Sequence, residues 1–246
     1  MGRMGRTHGA SRGWWLTACL AVATPAAASS FTIAPIRVEL SPAHTRAALT
    51  LHNDGDEPVT VQVNSVAWGQ PGGADQYAPT HDLITAPPVF VINAKSDQIV
   101  RVALRREADS TRELAYRLFF EEVPSATTTT FNGLHVALRI AIPVFVAPAA
   151  KASAALTWQA RTDAAGRLQI EAANHGTAHL QVTDFEIQAG PQGHAIHAGG
   201  SRYVLPDSAV SWTLTAPENF DPAAPLHLRG FSDQGEIVAD IARASP

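Results

Sequence analysis

The chain is poor in the residues that usually staple or charge a small protein. Its one cysteine, Cys19, and both methionines lie within the first 28 of 246 residues, and only two lysines, Lys95 and Lys151, stand beside sixteen arginines. Whatever follows residue 28 therefore folds without a disulfide. Charged residues make up 16% and the formal net charge is -4, which speaks against the basic balance of a nucleic-acid binder. Beyond residue 28 no apolar run approaches the 18 residues that a membrane-spanning helix needs. The nucleophile-elbow Gly-x-Ser-x-Gly, the phosphate loop and the dinucleotide fingerprint are all missing, so no catalytic constellation is recognisable. With 46% hydrophobic residues the chain is nevertheless too apolar to stay disordered.

What is present begins with an export signal. Arg3, Arg6 and Arg12 form a positive segment without acids, an apolar run follows from Trp14 to Val22, and Ala26-Ala27-Ala28 has the small-x-small pattern of a cleavage site. Residues 1–28 are read as a secretory signal peptide. Leu16-Thr17-Ala18-Cys19 has the order of a lipoprotein box, but only six residues separate Arg12 from the thiol, too few for an apolar region before it. Without the leader, 15 cationic side chains face 22 acidic ones, a net charge of -7.

From residue 30 onward the pattern is that of strands. Short β-branched runs recur between Gly, Pro and Asn turns, as in an all-β sandwich. In the first half they are Phe31–Leu40, Ala47–His52, Val59–Trp68, Val89–Ile92, Gln98–Leu104, Leu114–Val123 and Leu134–Val146. The second half has Ala155–Ala160, Leu168–Ala172, Ala178–Ala189, Arg202–Leu205, Ala209–Thr215, Leu226–Phe231 and Glu236–Ile241. Two immunoglobulin-like sandwiches result, residues 29–149 and 150–246, joined around Pro148–Ala152. No internal repeat is evident at the level of residue identity.

The stretch after the polar run Thr127–Thr130, itself read as a mobile loop, is unusual. Leu134, Val136, Leu138, Ile140, Ile142 and Val144 alternate with His135, Ala137, Arg139, Ala141 and Pro143, which puts six large apolar residues on one strand face. At about 3.3 Å per residue the stripe is roughly 35 Å long, more than one small sandwich readily covers. It is either a long core strand or a surface offered to another protein by β-strand addition. In the first predicted strand Ala34, Ile36, Val38 and Leu40 share a face, and Arg37 projects the other way, either as an ordinary exposed side chain or as a guanidinium poised for a carboxylate. His175, His179, His194 and His197 cluster loosely in the second half, the His-x-x-His pair in a Gly-rich turn without a carboxylate set, and read as solvated loop side chains rather than metal ligands. No cofactor is called for. Glu121 and Glu122 face opposite sides of their strand, so one of them meets the surface or an arginine. Trp68, Trp158 and Trp212 lie in strands, which favours core roles over a carbohydrate platform.

Taken together, Ile36-Arg37-Val38, the Asn53 turn, Ala86-Pro87-Pro88-Val89-Phe90 with Gln98-Ile99-Val100-Arg101-Val102, Tyr116–Pro124, Ile142-Pro143-Val144-Phe145-Val146, Asn174-His175-Gly176 and Tyr203-Val204-Leu205-Pro206 resemble the periplasmic chaperones of the chaperone–usher pathway. The wording Tyr-Arg-Leu-Phe and Ile-Pro-Val-Phe-Val is most similar to the archaic branch, which handles spore-coat-protein-U-like subunits. The resemblance implies a boomerang of two immunoglobulin-like domains, a periplasmic location, and two partners: an incomplete pilin or spore-coat-U-like subunit and an outer-membrane usher. It implies that Leu134, Val136, Leu138 and Ile140 are donated to the subunit, and that Arg37 grips its terminal carboxylate. The lysine that accompanies this arginine elsewhere in the family falls on Pro143, and Arg139 or Arg117 is the expected substitute. The arginine of the family's usual Phe-Tyr-Arg-Pro ending is also replaced, by Ala147. A free chaperone exposes its stripe, and self-association is a second way to cover it. The competing class is a secreted immunoglobulin-like adhesive or carbohydrate-binding module, a stable monomer that needs no subunit.

Overall fold

The computed structural model describes residues 31–124, 137–163, 166–190, 195–215 and 224–243. In the first half the strands are β1 (Phe31–Ala34), β2 (Val38–Leu40), β3 (Arg46–Asn53), β4 (Val59–Gly69), β5 (Gln76–Pro79), β6 (Leu83–Ala86), β7 (Val89–Ile92), β8 (Asp97–Leu104), β9 (Leu114–Glu122) and β10 (Arg139–Val146). The second half continues with β11 (Leu156–Thr162), β12 (Leu168–Asn174), β13 (Leu180–Ala189), β14 (Ala195–Ala198), β15 (Arg202–Val204), β16 (Ser208–Leu214), β17 (Leu226–Ser232) and β18 (Gly235–Arg243). All fourteen predicted runs contain strands, and three further strands, β5, β6 and β14, carry too little apolar alternation to be read from sequence.

One sheet of the first half has the order β1-β3-β8-β6 and the other β2-β10-β9-β4-β5, with β7 also on β4. Alternate residues of both sheets point inward, and Leu49, Leu51, Val61, Val100, Leu118, Phe120 and Val144 between them are sealed from solvent. In the second half β14-β13-β17-β18 faces β11-β12-β16, and the two layers join where β18 runs parallel to β11. Trp158, Ile170, Phe185, Ile187, Trp212 and Leu228 fill the space between them. Each fully buried large side chain contributes about 1.5–3 kcal/mol of apolar burial. Trp158 and Trp212 are thus core residues, as their strand positions suggest.

The run Phe31–Leu40 is not one strand but two, in different sheets. Pro35 has no N–H to continue a ladder, and after it the chain leaves β3 and runs parallel to β10. The inward face changes parity at that point: Phe31 and Ile33 are buried, then Val38 and Leu40, while Ile36 is 80% exposed. The shared face expected for Ala34, Ile36, Val38 and Leu40 therefore breaks, and Arg37 sits in the crossover between sheets.

Two asparagines do the same job in the two halves, a local repeat that residue identity along the chain did not reveal. The Asn53 amide donates to the carbonyls of Glu57 (2.8 Å), Ile92 (3.1 Å) and Asn93 (3.2 Å), and its Oδ1 accepts from Gly55 N–H (2.9 Å). The Asn174 amide donates to Ala178 (2.8 Å) and Val204 (3.0 Å), and its Oδ1 accepts from Ala155 (3.1 Å) and Gly176 (2.9 Å). Both are buried Asn-x-Gly turns that satisfy peptide groups no ladder reaches. Gly176 is fixed by close approach, since a Cβ there would stand 2.2 Å from the Ser153 carbonyl oxygen. Replacing Asn174 by Ala leaves buried carbonyl and N–H groups unpaired and is expected to lower stability by about 1–3 kcal/mol in urea unfolding; an unchanged midpoint would show that water fills the role.

Candidate functional site

The two halves meet in a joint built from side chains on the outer face of the β2-β10-β9-β4-β5 sheet. Trp68 on β4, Phe145 on β10 and Leu205 after β15 are buried together, with Tyr203 and Ala115 packed against them. Ring centroids of Trp68, Phe145 and Tyr203 lie 5.4–5.9 Å apart. Gln70 ties the halves through backbone: its amide donates to the Tyr203 carbonyl (2.9 Å) and its oxygen accepts from Leu205 N–H (2.9 Å). Below the aromatic cluster runs a chain of charges. Arg37 Nη1 donates to Asp233 Oδ2 (2.6 Å), and Arg37 Nε lies 3.3 Å from Glu39. His179 Nε2 is 3.7 Å from the same Asp233 oxygen, while its Nδ1 lies 2.6 Å from Glu113. The His179 ring stacks on Phe145 with centroids 3.5 Å apart.

His179 is thus not the solvated loop residue expected from sequence; it is buried between Phe145, Glu113 and Asp233. His175 does lie at the surface, on Thr157 (3.0 Å), and His197 lies 3.9 Å from Glu186; His194 falls outside the described residues. Burial disfavours the charge of Arg37, but the Asp233 hydrogen bond and charge outweigh it and hold its pKa above the ordinary value. The Tyr203 phenol is pushed up by burial, against the pull of Arg37 and Arg117. Two of the three predicted cations, Arg37 and Arg117, therefore converge on Tyr203: the Arg117 guanidinium lies 5.6 Å from that ring and 3.8 Å above Trp68, with a buried Nε that has no hydrogen-bond partner among the described residues. Arg139 does not join them. It pairs with Glu121 (2.7 Å), as the adjacent-acid argument expects, and covers Phe119 at 4.0 Å.

β10 supplies the second feature. Its whole length pairs with β9, but β2 covers only Val144–Val146 on the other side, so Arg139–Pro143 have a partner strand on one side among the described residues. Glu122 N–H donates to the Leu138 carbonyl (2.9 Å) and Ala147 N–H to the Leu40 carbonyl (2.8 Å). Even-numbered residues thus turn their peptide groups to β9 and odd-numbered ones to the open edge. Among the described residues, the unpaired edge presents the N–H and C=O of Arg139 and Ala141, and the β2 ladder begins at the Pro143 carbonyl. A proline is tolerated at 143 because its missing donor lies on that edge and not in the β9 ladder. Pro143 stands directly across from Arg117, in a non-hydrogen-bonded pair whose side chains lie close.

The apolar stripe keeps to one face of β10. Ile142, Val144 and Val146 are buried in the first core, while Leu138 and Ile140 are half-buried at its rim. Leu134 and Val136, like the Thr127–Thr130 run, lie outside the described residues. Asp233 and Gln70 escaped the sequence reading, and the parts played by His179 and Tyr203 did too, because these roles rest on contacts between the halves that no local pattern encodes.

The model of the pili and flagellar-assembly chaperone family, PapD N-terminal domain, matches residues 30–152, half of the chain. The chain belongs to that family. No curated protein matches the sequence. Among solved structures, the chaperone is similar to a chain of the CsuC–CsuE chaperone–tip adhesion subunit pre-assembly complex from the archaic chaperone-usher Csu pili of Acinetobacter baumannii, at 20% identity over 88% of this chain and 100% of that one, with a TM-score of 0.66. It is also similar to the E. coli chaperone DraB, at 19% identity, 87% and 97% coverage and a TM-score of 0.59. A chain from the complex of Salmonella enterica SafA pilin with the SafB chaperone matches at 19% identity, 88% and 99% coverage and a TM-score of 0.59. These likenesses show a shared two-domain β-sandwich fold.

The joint of the chaperone makes one direct prediction. Gln70→Ala leaves the Leu205 N–H and the Tyr203 carbonyl without partners, at a cost of about 1–3 kcal/mol. Small-angle scattering and a thermal melt should then show a looser relation between the halves and a lower first transition. An unaltered scattering profile would mean that the aromatic cluster alone fixes the joint.

Proposed function

We propose that this protein is a periplasmic assembly chaperone that completes a pilin or spore-coat-U-like subunit with the free edge of β10 and passes it to an outer-membrane usher. The observation that carries the reading is the one-sided pairing of Arg139–Pro143, an open row of peptide groups beside an apolar stripe. A subunit strand laid along this edge gains backbone hydrogen bonds from Arg139 and Ala141, and its groove takes apolar side chains from the stripe. Leu138 and Ile140, half-buried at the rim, are the described members of that stripe; Leu134 and Val136 extend it. No covalent step is involved. The work is the burial of an edge that would otherwise aggregate.

Arg37 is the anchor for the subunit's terminal carboxylate, at the inner end of β10. Arg117, stacked on Trp68 across from Pro143, supplies the second cation where relatives carry a lysine, and Arg139 lies roughly 13 Å further along the strand, in reach of the added chain rather than of its end. Residues 1–28 direct export and are removed, which places the N-terminus of the working protein at Ser29, a position that mass spectrometry of the periplasmic form reads directly.

The test is co-purification of a small pilin-like chain with tagged variants. Ala141→Pro deletes an N–H on the open edge and leaves the β9 ladder intact, so the melting temperature should stay within a few degrees while subunit recovery falls at least tenfold, about 1.4 kcal/mol. Ile142→Pro, whose N–H faces β9, should unfold the first half instead. Arg37→Ala should fold and lose the subunit. Full recovery with Ala141→Pro would remove strand addition at this edge from the account.

A further inference from the structure

If Arg37 anchors an incoming carboxylate, which is the reading proposed above, its present partner acquires a meaning of its own. Asp233 lies in the turn between β17 and β18, in the other half of the molecule, and presents one oxygen to Arg37 Nη1 at 2.6 Å. Its second oxygen accepts the Gln181 N–H at 3.0 Å, which fixes the carboxylate in place. Arg37 meets its two acids through different nitrogens, Nη1 to Asp233 and Nε to Glu39, so neither holds the guanidinium through the parallel two-nitrogen fork that binds carboxylates best. The arginine side chain is 29% exposed and that of Asp233 13%. The pair is therefore within reach of solvent and of a ligand, while the Asp233 carboxylate is itself held from behind.

We infer that Asp233 is a built-in competitor for the carboxylate site: it occupies Arg37 in the free chaperone and is displaced by a chain terminus that can grip the guanidinium with both oxygens. The contact satisfies the arginine when no subunit is present. It weakens every ligand that needs Arg37 by the same factor, set by the fraction of time that the arginine is taken, so that only a strong grip such as a carboxylate in fork geometry displaces it. Displacement also severs the Arg37–Asp233 contact across the joint, so binding at β10 is coupled to the seating of the second half. Asp233 then keeps His179 as a neighbour, whose Nε2 already faces it at 3.7 Å without a hydrogen-bond partner among the described residues.

The test uses the intact mature protein and a defined probe, a fluorescein-labelled alternating Val-Thr nonapeptide made with a free terminal carboxylate and as its terminal amide. Asp233→Asn keeps an oxygen for Gln181 N–H and turns an NH₂ toward Arg37. It should bind the acid peptide on the order of five- to tenfold more tightly than wild type, with affinity for the amide unchanged. Arg37→Ala should bind acid and amide alike. Acid affinity in Asp233→Asn equal to or below that of wild type overturns the competitor role, even where Arg37→Ala confirms the anchor. Equal binding of acid and amide by wild type and by Asp233→Asn removes the anchor and the competitor together. Equal tightening of both peptides in Asp233→Asn would assign Asp233 to holding the joint only and likewise overturn the proposal. A probe that neither wild type nor Asp233→Asn binds would count against both readings.

Discussion

A sheet edge that is left open has to be managed, because unpaired peptide groups beside apolar side chains recruit other strands. Among the described residues the open stretch is Arg139–Pro143, and much of the architecture of the first half goes with it. Pro35 ends the ladder of β1, the chain crosses to the opposite sheet, and β2 then caps β10 only at Val144–Val146. Had β2 begun three or four residues earlier in register, the edge would be closed and the fold would be an ordinary sandwich. Pro143 and the ion pair of Arg139 with Glu121 limit unspecific pairing along the same stretch.

The second constraint is the joint. Phe145, the outward-facing residue of β10 next to Pro143, is clamped between Trp68, Tyr203 and His179. The open edge is thereby held at a fixed place relative to the second half, and the charges of the joint gather at its inner end. Arg37, Asp233, Glu113 and His179 form a partly buried network in which each acid has a basic partner, with Arg117 beside it over Trp68 and Tyr203. In such surroundings a charge is held when paired and is costly when stranded, so a carboxylate is the ligand group that suits Arg37.

Much of this was legible in the sequence, for identifiable reasons. Strand alternation exposed the stripe on β10, because a period of two is a property of the chain itself. The Asn-x-Gly turns were visible as turn chemistry, and only the structure revealed that Asn53 and Asn174 satisfy equivalent sets of peptide groups. The unity of Phe31–Leu40 failed because Ile36 continued the apolar alternation through a sheet crossover that its neighbours share. His179 was misread because local composition reports solvent exposure only within one half. Its burial is caused by Phe145 and Glu113, 34 and 66 positions away in sequence. Arg37 and Arg117 were recognised as candidate anchors, whereas their common neighbour Tyr203 and the partner Asp233 emerge only when the two halves are brought together.

The account stands or falls on the open edge of β10, and amide hydrogen exchange resolved to single residues measures it most directly. In the free protein the N–H groups of Arg139 and Ala141 should exchange rapidly, while those of Ile140, Ile142 and Val144, which face β9, stay protected. On formation of the complex with a subunit, Arg139 and Ala141 should become protected by at least an order of magnitude with the even-numbered residues unchanged. Equal and unchanged exchange at Arg139 and Ala141 in the complex would contradict strand addition at β10 and with it the central claim.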